Sequence, residues 1–437
     1  MDMLYFNYKK YTLTKKLTEG DEMSYLKNIV CPHCGRELET EFYKACPYCK
    51  EKGIYTNYET IYDLKNTKLD KNNNEKGIYK YSSFFPLKEN SSKISINEGN
   101  TPLIKLERLG KLWGLDNLYL KDESKNPTMS HKDRMCSLMI SKAIEMKAPG
   151  VVIASTGNQG AAVAAYCAVA KIPCVIFTTP NVSPTMKIFM QSFGAYVFVT
   201  PTMEDRVTMM KKLVEEYNYF PASGLENPPI GSCCFAIDAY KTIAFEVFEQ
   251  LNNNIPDYFI VPISYGDTLY GIYKGMSDLK EMGYVDKTPK FVAAEVFGAA
   301  KTTLAADSSV PLAVETSSSI QTSIAAGNIA YLTLKALKES NGSAETSCDE
   351  EALEMQKLLC ETEGILAETS SVASLVALKK MLENKKISSS DKIVLLLTST
   401  GVKTPEIIEQ WLPKLPSINP NMESFKEEML NTYKFKF

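Results

Sequence analysis

The chain has little histidine, two residues in 437. His33 and His131 cannot build a multi-histidine metal centre, and neither stands in an H-E-x-x-H motif. A Ser-His-Asp hydrolase would need one of them as its base, and no G-x-S-x-G turn accompanies either. Nor is there an excess of one charge: 49 Lys and Arg face 52 Asp and Glu, for a net charge of −3. That excludes the broad basic surface on which nonspecific nucleic-acid binding depends. Long apolar runs are also missing. The most hydrophobic stretch, "AAVAAYCAVAKIPCVIFTT", is broken by Lys171 and Pro173 and reads as helix, turn and strand, with no membrane span. The opening residues, "MDMLYFNYKKYTLTKK", lack the apolar core of a signal peptide. Eleven cysteines are an odd number for a disulfide framework. Seven of them lie scattered in apolar surroundings, as in a reducing compartment. A cytoplasmic protein with neither nucleic-acid nor membrane partner is expected.

What is present is an ordinary globular composition, 44% hydrophobic and 23% charged, long enough for about two or three domains. Residues 31–49, "CPHCGRELETEFYKACPYC", hold two C-x2-C pairs separated by eleven residues. Each pair presents two sulfurs to one ion, so Cys31, Cys34, Cys46 and Cys49 suit a closed, structural Zn2+ site. His33 is a lesser alternative ligand, and four free thiols in a small hairpin are the plain alternative. The expected organisation is an N-terminal region over 1–64, a polar linker or exposed loop over 65–77, "KNTKLDKNNNEKG", and a main body over 80–437.

From about residue 100 the pattern alternates. "LYLKDE", "GVVIAS", "CVIFTT", "YVFVT", "DYFIVPIS", "FVAAEV" and "DKIVLLLTS" read as strands. "MCSLMISKAIEMK", "NQGAAVAAYCAVAK", "SPTMKIFMQSFG" and "MEDRVTMMKKLVEEY" read as helices. Continuous apolar strands alternating with helices predict a largely parallel α/β sheet, or two of them. In such sheets ligands bind beyond the carboxyl ends of the strands. Three unusual loops fall there: "ASTGNQG" at 154–160, "VPISYGDTLYGIYKG" at 261–275 and "LTSTGVK" at 397–403. A small-residue turn at a helix N-terminus offers N–H groups and a positive dipole end to a carboxylate or phosphate. Taken singly, each turn is equally readable as a helix cap or a tight connection.

With "EGNTPL" at 98–103, "NPTMSHKDR" at 126–134, "SSSIQTSIAAGN" at 317–328 and "EGILAETSSVASLVAL" at 363–378, these loops form an ordered set of motifs. The set resembles the fold-type-II pyridoxal-phosphate enzymes, and within them the threonine synthases. The resemblance implies two open, mostly parallel, doubly wound α/β domains, the smaller over about 135–235, with a zinc-ribbon-like segment in front. It implies that Lys132 forms the Schiff base with pyridoxal 5'-phosphate and serves as the base for the Cα proton. A lysine in that role needs a shielded site that lowers its pKa. It further implies that Asn158 contacts the cofactor ring oxygen and that Ser264, Tyr265, Gly266, Asp267 and Thr268 hold its phosphate. Thr398 would face the ring nitrogen, and Ser155, Thr156 and Gly157 would hold the carboxylate of a small amino-acid substrate. A homodimer is also implied.

Three departures from the family pattern stand out. His131 occupies the place of an aromatic residue before the lysine, either as a packed ring or as a proton relay. "SYGDT" puts Asp267 beside the expected phosphate. And the Arg that would grip a substrate phosphate is replaced at about Ala236, which leaves Lys241 to act there as a point charge. The implied reaction is that of a lyase or synthase, O-phosphohomoserine and water giving threonine and phosphate. A replacement enzyme or a serine/threonine ammonia-lyase is the near alternative. A non-catalytic protein that binds partners through its ribbon is the distant one.

Overall fold

Aliphatic strands with no polar face must be covered on both sides, and the chain meets this demand twice. The computed structural model describes residues 25–38, 42–70 and 74–436. The opening residues read above for a signal segment, and residues 71–73 of the expected linker, lie outside the described residues. In chain order the strands are β1 (Leu26–Val30), β2 (Glu59–Tyr62), β3 (Leu103–Lys105), β4 (Asn117–Asp122), β5 (Val151–Ala154) and β6 (Cys174–Thr178). They continue with β7 (Tyr196–Val199), β8 (Phe220–Pro221), β9 (Tyr258–Pro262), β10 (Lys290–Glu295), β11 (Ser343–Thr346) and β12 (Lys392–Leu397).

Six strands form the larger sheet in the order β11-β10-β9-β12-β4-β3, and four form the smaller in the order β7-β6-β5-β8. Every pairing is parallel except that of the edge strand β3 with β4. The two expected mostly parallel, doubly wound sheets are thus what the chain forms. β12, "KIVLLL", is buried at all but its first residue and lies between β9 and β4. Its aliphatic side chains serve both faces, because helices cover both. β1 and β2 form a separate antiparallel pair. The four cysteines fall between them. Among the described residues no helix is long and apolar enough to cross a membrane.

Where β4 ends, the chain turns into the helix Lys132–Glu145. The start of that helix is fixed by charge. The Arg134 guanidinium, fully buried, donates through Nε to Glu123 at 2.7 Å and through Nη1 to Glu246 at 2.6 Å. Lys121 Nζ lies 2.7 Å from the second oxygen of Glu246 and 2.6 Å from the Thr101 carbonyl. Two cations and two carboxylates balance, and each carboxylate is multiply hydrogen-bonded, the condition under which a buried ionic cluster is tolerated. Asp133 ties the helix back to the preceding turn, accepting from Thr128 N at 3.0 Å and Thr128 Oγ1 at 2.9 Å.

Candidate active site

Four strand ends converge on one cavity of about 270 Å3. That is just under the ~300 Å3 lower end of ordinary small-molecule pockets. The turn after β4 brings His131 and Lys132, the turn after β5 brings Ser155 to Asn158, the turn after β9 brings Ser264 to Thr268, and the end of β12 brings Thr398. An isolated bridge between Ser130 and Ser399 ties the first of these turns to the last. Of the residues expected at a site, Lys132, Ser155, Thr156, Gly157, Asn158, Ser264, Tyr265, Gly266, Asp267, Thr268 and Thr398 all line this cavity.

Lys132 keeps part of its surface open to the cavity. Desolvation holds its pKa below the ordinary lysine value, opposed by Asp267 and Cys136. Its nitrogen stands 5.9 Å from the Tyr240 ring centroid. His131 tucks in beside it. Both its backbone N–H, at 2.9 Å, and its Nδ1, at 3.1 Å, approach the Thr398 carbonyl, and its ring leans on Tyr240 at 5.6 Å. Burial, and then the neighbouring Lys132, push the His131 pKa well down. The imidazole is therefore neutral and packed, with one nitrogen committed to the strand-end carbonyl.

Gly266 precedes the helix Asp267–Glu281 with φ +96°, and a Cβ there would fall 2.2 Å from Thr333 Oγ1. Only glycine fits this turn, which aims the first, unsatisfied N–H groups of the helix at the cavity. Asp267 turns sideways, with Oδ2 accepting from Ser232 N at 2.9 Å. Burial raises its pKa, against the pull of Lys132. Across the cavity Ser155 Oγ accepts from Gly160 N at 3.0 Å and Gly157 N at 3.3 Å. Its hydroxyl thus caps the helix Asn158–Ala170, while Thr156 is exposed.

Asn158 is held in one orientation. Its Oδ1 accepts from Lys403 Nζ at 2.7 Å and Ser399 Oγ at 3.3 Å, while its Nδ2 donates to Glu368 at 2.9 Å. Burial brings the Lys403 pKa down to about 8, opposed by Glu368 and Asp133. Thr398 Oγ1 lies 2.7 Å from Ser371 Oγ, whose oxygen also accepts from Ser399 N at 2.9 Å. The residue at that corner is a hydroxyl, with no carboxylate among the cavity-lining side chains beside it except Asp267.

Lys241 is the exception among the expected site residues. It does not line the cavity. Its side chain is fully buried elsewhere, 3.4 Å from Asp278 Oδ2, 3.6 Å from Asp238 Oδ1 and 3.9 Å from the centre of the Tyr62 ring. Two carboxylates compensate its charge inside the protein, so it cannot serve as the substrate's point charge. Sequence reasoning also passed over Lys403, Glu368 and Ser371, which hold the motif residues, and Arg206, Gln159 and Ser323, which line the cavity directly.

In the ribbon, the Cys31, Cys34, Cys46 and Cys49 sulfurs lie within 4.8 Å of one another. Cys31 and Cys49 are 3.6 Å apart, and Cys34 and Cys46 3.7 Å. A tetrahedral ion with ~2.3 Å bonds to sulfur separates its ligands by about 3.8 Å. His33 Nδ1 is 3.4 Å from Cys49 Sγ and is not part of the four-sulfur group.

A cavity with a desolvated primary amine, a helix N-terminus, a fixed amide and a hydroxyl corner has the donor set of a pyridoxal-phosphate site. The amine would bind the aldehyde, the Asp267 helix N-terminus with Ser264 and Thr268 the phosphate, and Asn158 and Thr398 the ring. Residues 94–399 match the family described as pyridoxal-phosphate dependent enzyme. The chain belongs to that family of enzymes. Within it the chain is similar to the threonine synthase of Methanocaldococcus jannaschii, with 34% identity over 86% of this chain and 93% of that one. It is also similar to the threonine synthase of Methanosarcina acetivorans, with 30% identity over 93% of this chain and the whole of that one. Among solved structures it shares the fold of maize serine racemase, at a TM-score of 0.60, 22% identity and 71% of this chain against 91% of that one. It likewise shares the fold of a fungal L-serine ammonia-lyase from Rhizomucor miehei, at a TM-score of 0.62, 19% identity and 71% of this chain against 97% of that one.

Proposed function

We propose that this chain is a threonine synthase, converting O-phosphohomoserine and water into threonine and phosphate. The observation that carries the reading is Lys132: an amine biased towards its neutral form, open to a cavity walled by four strand ends. The two archaeal threonine synthases, similar over nearly the whole chain, support the choice of reaction.

Bound pyridoxal phosphate would supply an electron sink that acidifies the Cα proton and then a Cβ proton, and loss of the Cβ proton provides the electron pair that expels the phosphate from Cγ. The chain's residues do the rest. Lys132 Nζ, once released to the neutral amine, accepts the Cα proton and carries it within the cavity. The Thr156–Asn158 turn at the N-terminus of its helix orients the substrate carboxylate. Thr398, a hydroxyl without a proton acidic enough to charge the ring nitrogen, keeps the sink mild. That suits elimination and replacement at Cβ or Cγ. Neutral His131 fixes the Thr398 strand end through its carbonyl.

The sulfur separations support a structural Zn2+ held by Cys31, Cys34, Cys46 and Cys49, with no open position for catalysis. None of the eleven cysteines is in a disulfide, which supports a reducing, cytoplasmic setting. Purified holoenzyme should release phosphate and threonine from O-phosphohomoserine, with far less ammonia from L-threonine or L-serine. Metal analysis of the same preparation reads the zinc. Ammonia release exceeding phosphate release would replace this reading with that of an ammonia-lyase.

A further inference from the structure

Arginine is scarce here: the chain has four, Arg36, Arg108, Arg134 and Arg206. Arg36 lies over the Tyr48 ring, Arg108 donates to the Thr362 carbonyl, and Arg134 holds the ionic cluster behind Lys132. Arg206 lines the cavity. It sits in the first turn of the helix Met203–Tyr217, whose start is locked by a reciprocal cap between Thr202 and Asp205. That helix belongs to the smaller sheet, whereas the Ser264–Thr268 turn and Thr398 come from the larger one. The residue is buried despite its position in a polar helix. Burial pulls its pKa below the ordinary arginine value, with Tyr265 of the opposite wall acting against the shift. An incoming anion would gain from such a desolvated cation.

The loaded site must receive three anions: the cofactor phosphate, the substrate carboxylate and the substrate phosphate. The two helix N-termini, at Asp267 and at Asn158, account for the first two. Among the described residues that line the cavity, Lys132 and Arg206 are the cationic side chains, since His131 is neutral. Lys132 is committed to the cofactor and the Cα proton, and Lys241 is sealed elsewhere. We propose that Arg206 is the specificity-determining residue for the substrate's leaving group, its guanidinium gripping the phosphate at the far end of the amino acid. The inference rests on the phosphate-bearing substrate proposed above. It gives the smaller sheet a direct part in choosing that substrate.

The test uses holoenzyme and its Arg206→Gln and Arg206→Lys variants. Two amino acids are titrated against the cofactor absorption: a non-hydrolysable phosphonate analogue of O-phosphohomoserine, and L-norvaline, which lacks the anion. Wild type should bind the phosphonate tighter by about 100-fold, the scale of a charge-assisted, desolvated anion contact. Arg206→Gln should lose most of that preference, with the norvaline and pyridoxal-phosphate affinities unchanged. Its loss of turnover on O-phosphohomoserine should appear in KM before kcat. Arg206→Lys should keep part of the preference. Full phosphonate preference in Arg206→Gln would overturn the inference and leave the functional reading standing. A loss of pyridoxal-phosphate affinity with no selective loss of phosphonate would overturn it too, by assigning the guanidinium to the cofactor. No phosphonate preference in wild type would refute the substrate reading itself, and this inference with it.

Discussion

Lys132 and Lys241 each open a helix, Lys132–Glu145 and Lys241–Gln250, and both lie inside the catalytic body. Their surroundings differ in what stands opposite the nitrogen. Lys241 is enclosed by Asp238, Asp278 and the Tyr62 ring, with Lys274 sharing Asp238 at 3.1 Å. Lys132 faces an opening, and Asp267, the carboxylate that opposes its neutralisation, is turned onto Ser232 N. A buried lysine becomes a structural cation when carboxylates close around it. Burial lowers the pKa of both lysines, and what makes Lys132 the nucleophile is that one side is left free towards the cavity.

The comparison breaks most easily at Lys132 itself. Lys132→Ala should lose the cofactor's lysine-linked absorption, with turnover down by about 10^4-fold or more, as expected when nucleophile and proton carrier vanish together. A variant that kept the wild-type absorption would end the distinction between the two lysines. The next effect falls on stability. Lys241→Met takes the nearest cation from buried Asp278 and leaves Asp238 to Lys274, and should cost about 3 kcal/mol in denaturant unfolding, while KM for O-phosphohomoserine stays at the wild-type value. A raised KM with unchanged stability would return Lys241 to the substrate.

The smallest effect is a pH trend. The Lys132 pKa is depressed in the folded chain, so the neutral amine appears below the ordinary lysine value of 10.5. The rate at which cofactor-free protein captures added pyridoxal phosphate should therefore rise with pH and level off below that value. Depression of a lysine pKa also means that the folded chain binds fewer protons than the unfolded one between the two values. Cofactor-free stability should then gain slightly as pH climbs through that window. A capture rate still rising beyond pH 10.5 would show that the amine is not desolvated.

Much of this site could be read from local signals. An apolar run that stops at small residues marks a strand end, and β5, β9 and β12 each stop that way before Ser155, Ser264 and Thr398. The helix Met203–Tyr217 coincides with "MEDRVTMMKKLVEEY" because Thr202 and Asp205 set its first turn. What escaped reading depends on distant partners. Asn158 is held by Glu368 and Lys403, 210 and 245 residues away in sequence. Asp238 is local to Lys241, but Asp278, which completes its capture, lies on another helix, and Arg206 looks in sequence like one more charge on a solvated helix face. The short strands β3, β8 and β11 have too few residues for a period to show, so pairing with neighbours defines them.

Through Arg134, two residues beyond the reactive amine on the same helical turn, the ionic knot with Glu123, Glu246 and Lys121 pins the start of that helix. Because those bonds form when the chain folds, the amine's direction is settled before any ligand arrives. A substrate entering such a site finds its reaction partner already stationary, and the binding energy of its own charged ends remains free for selection.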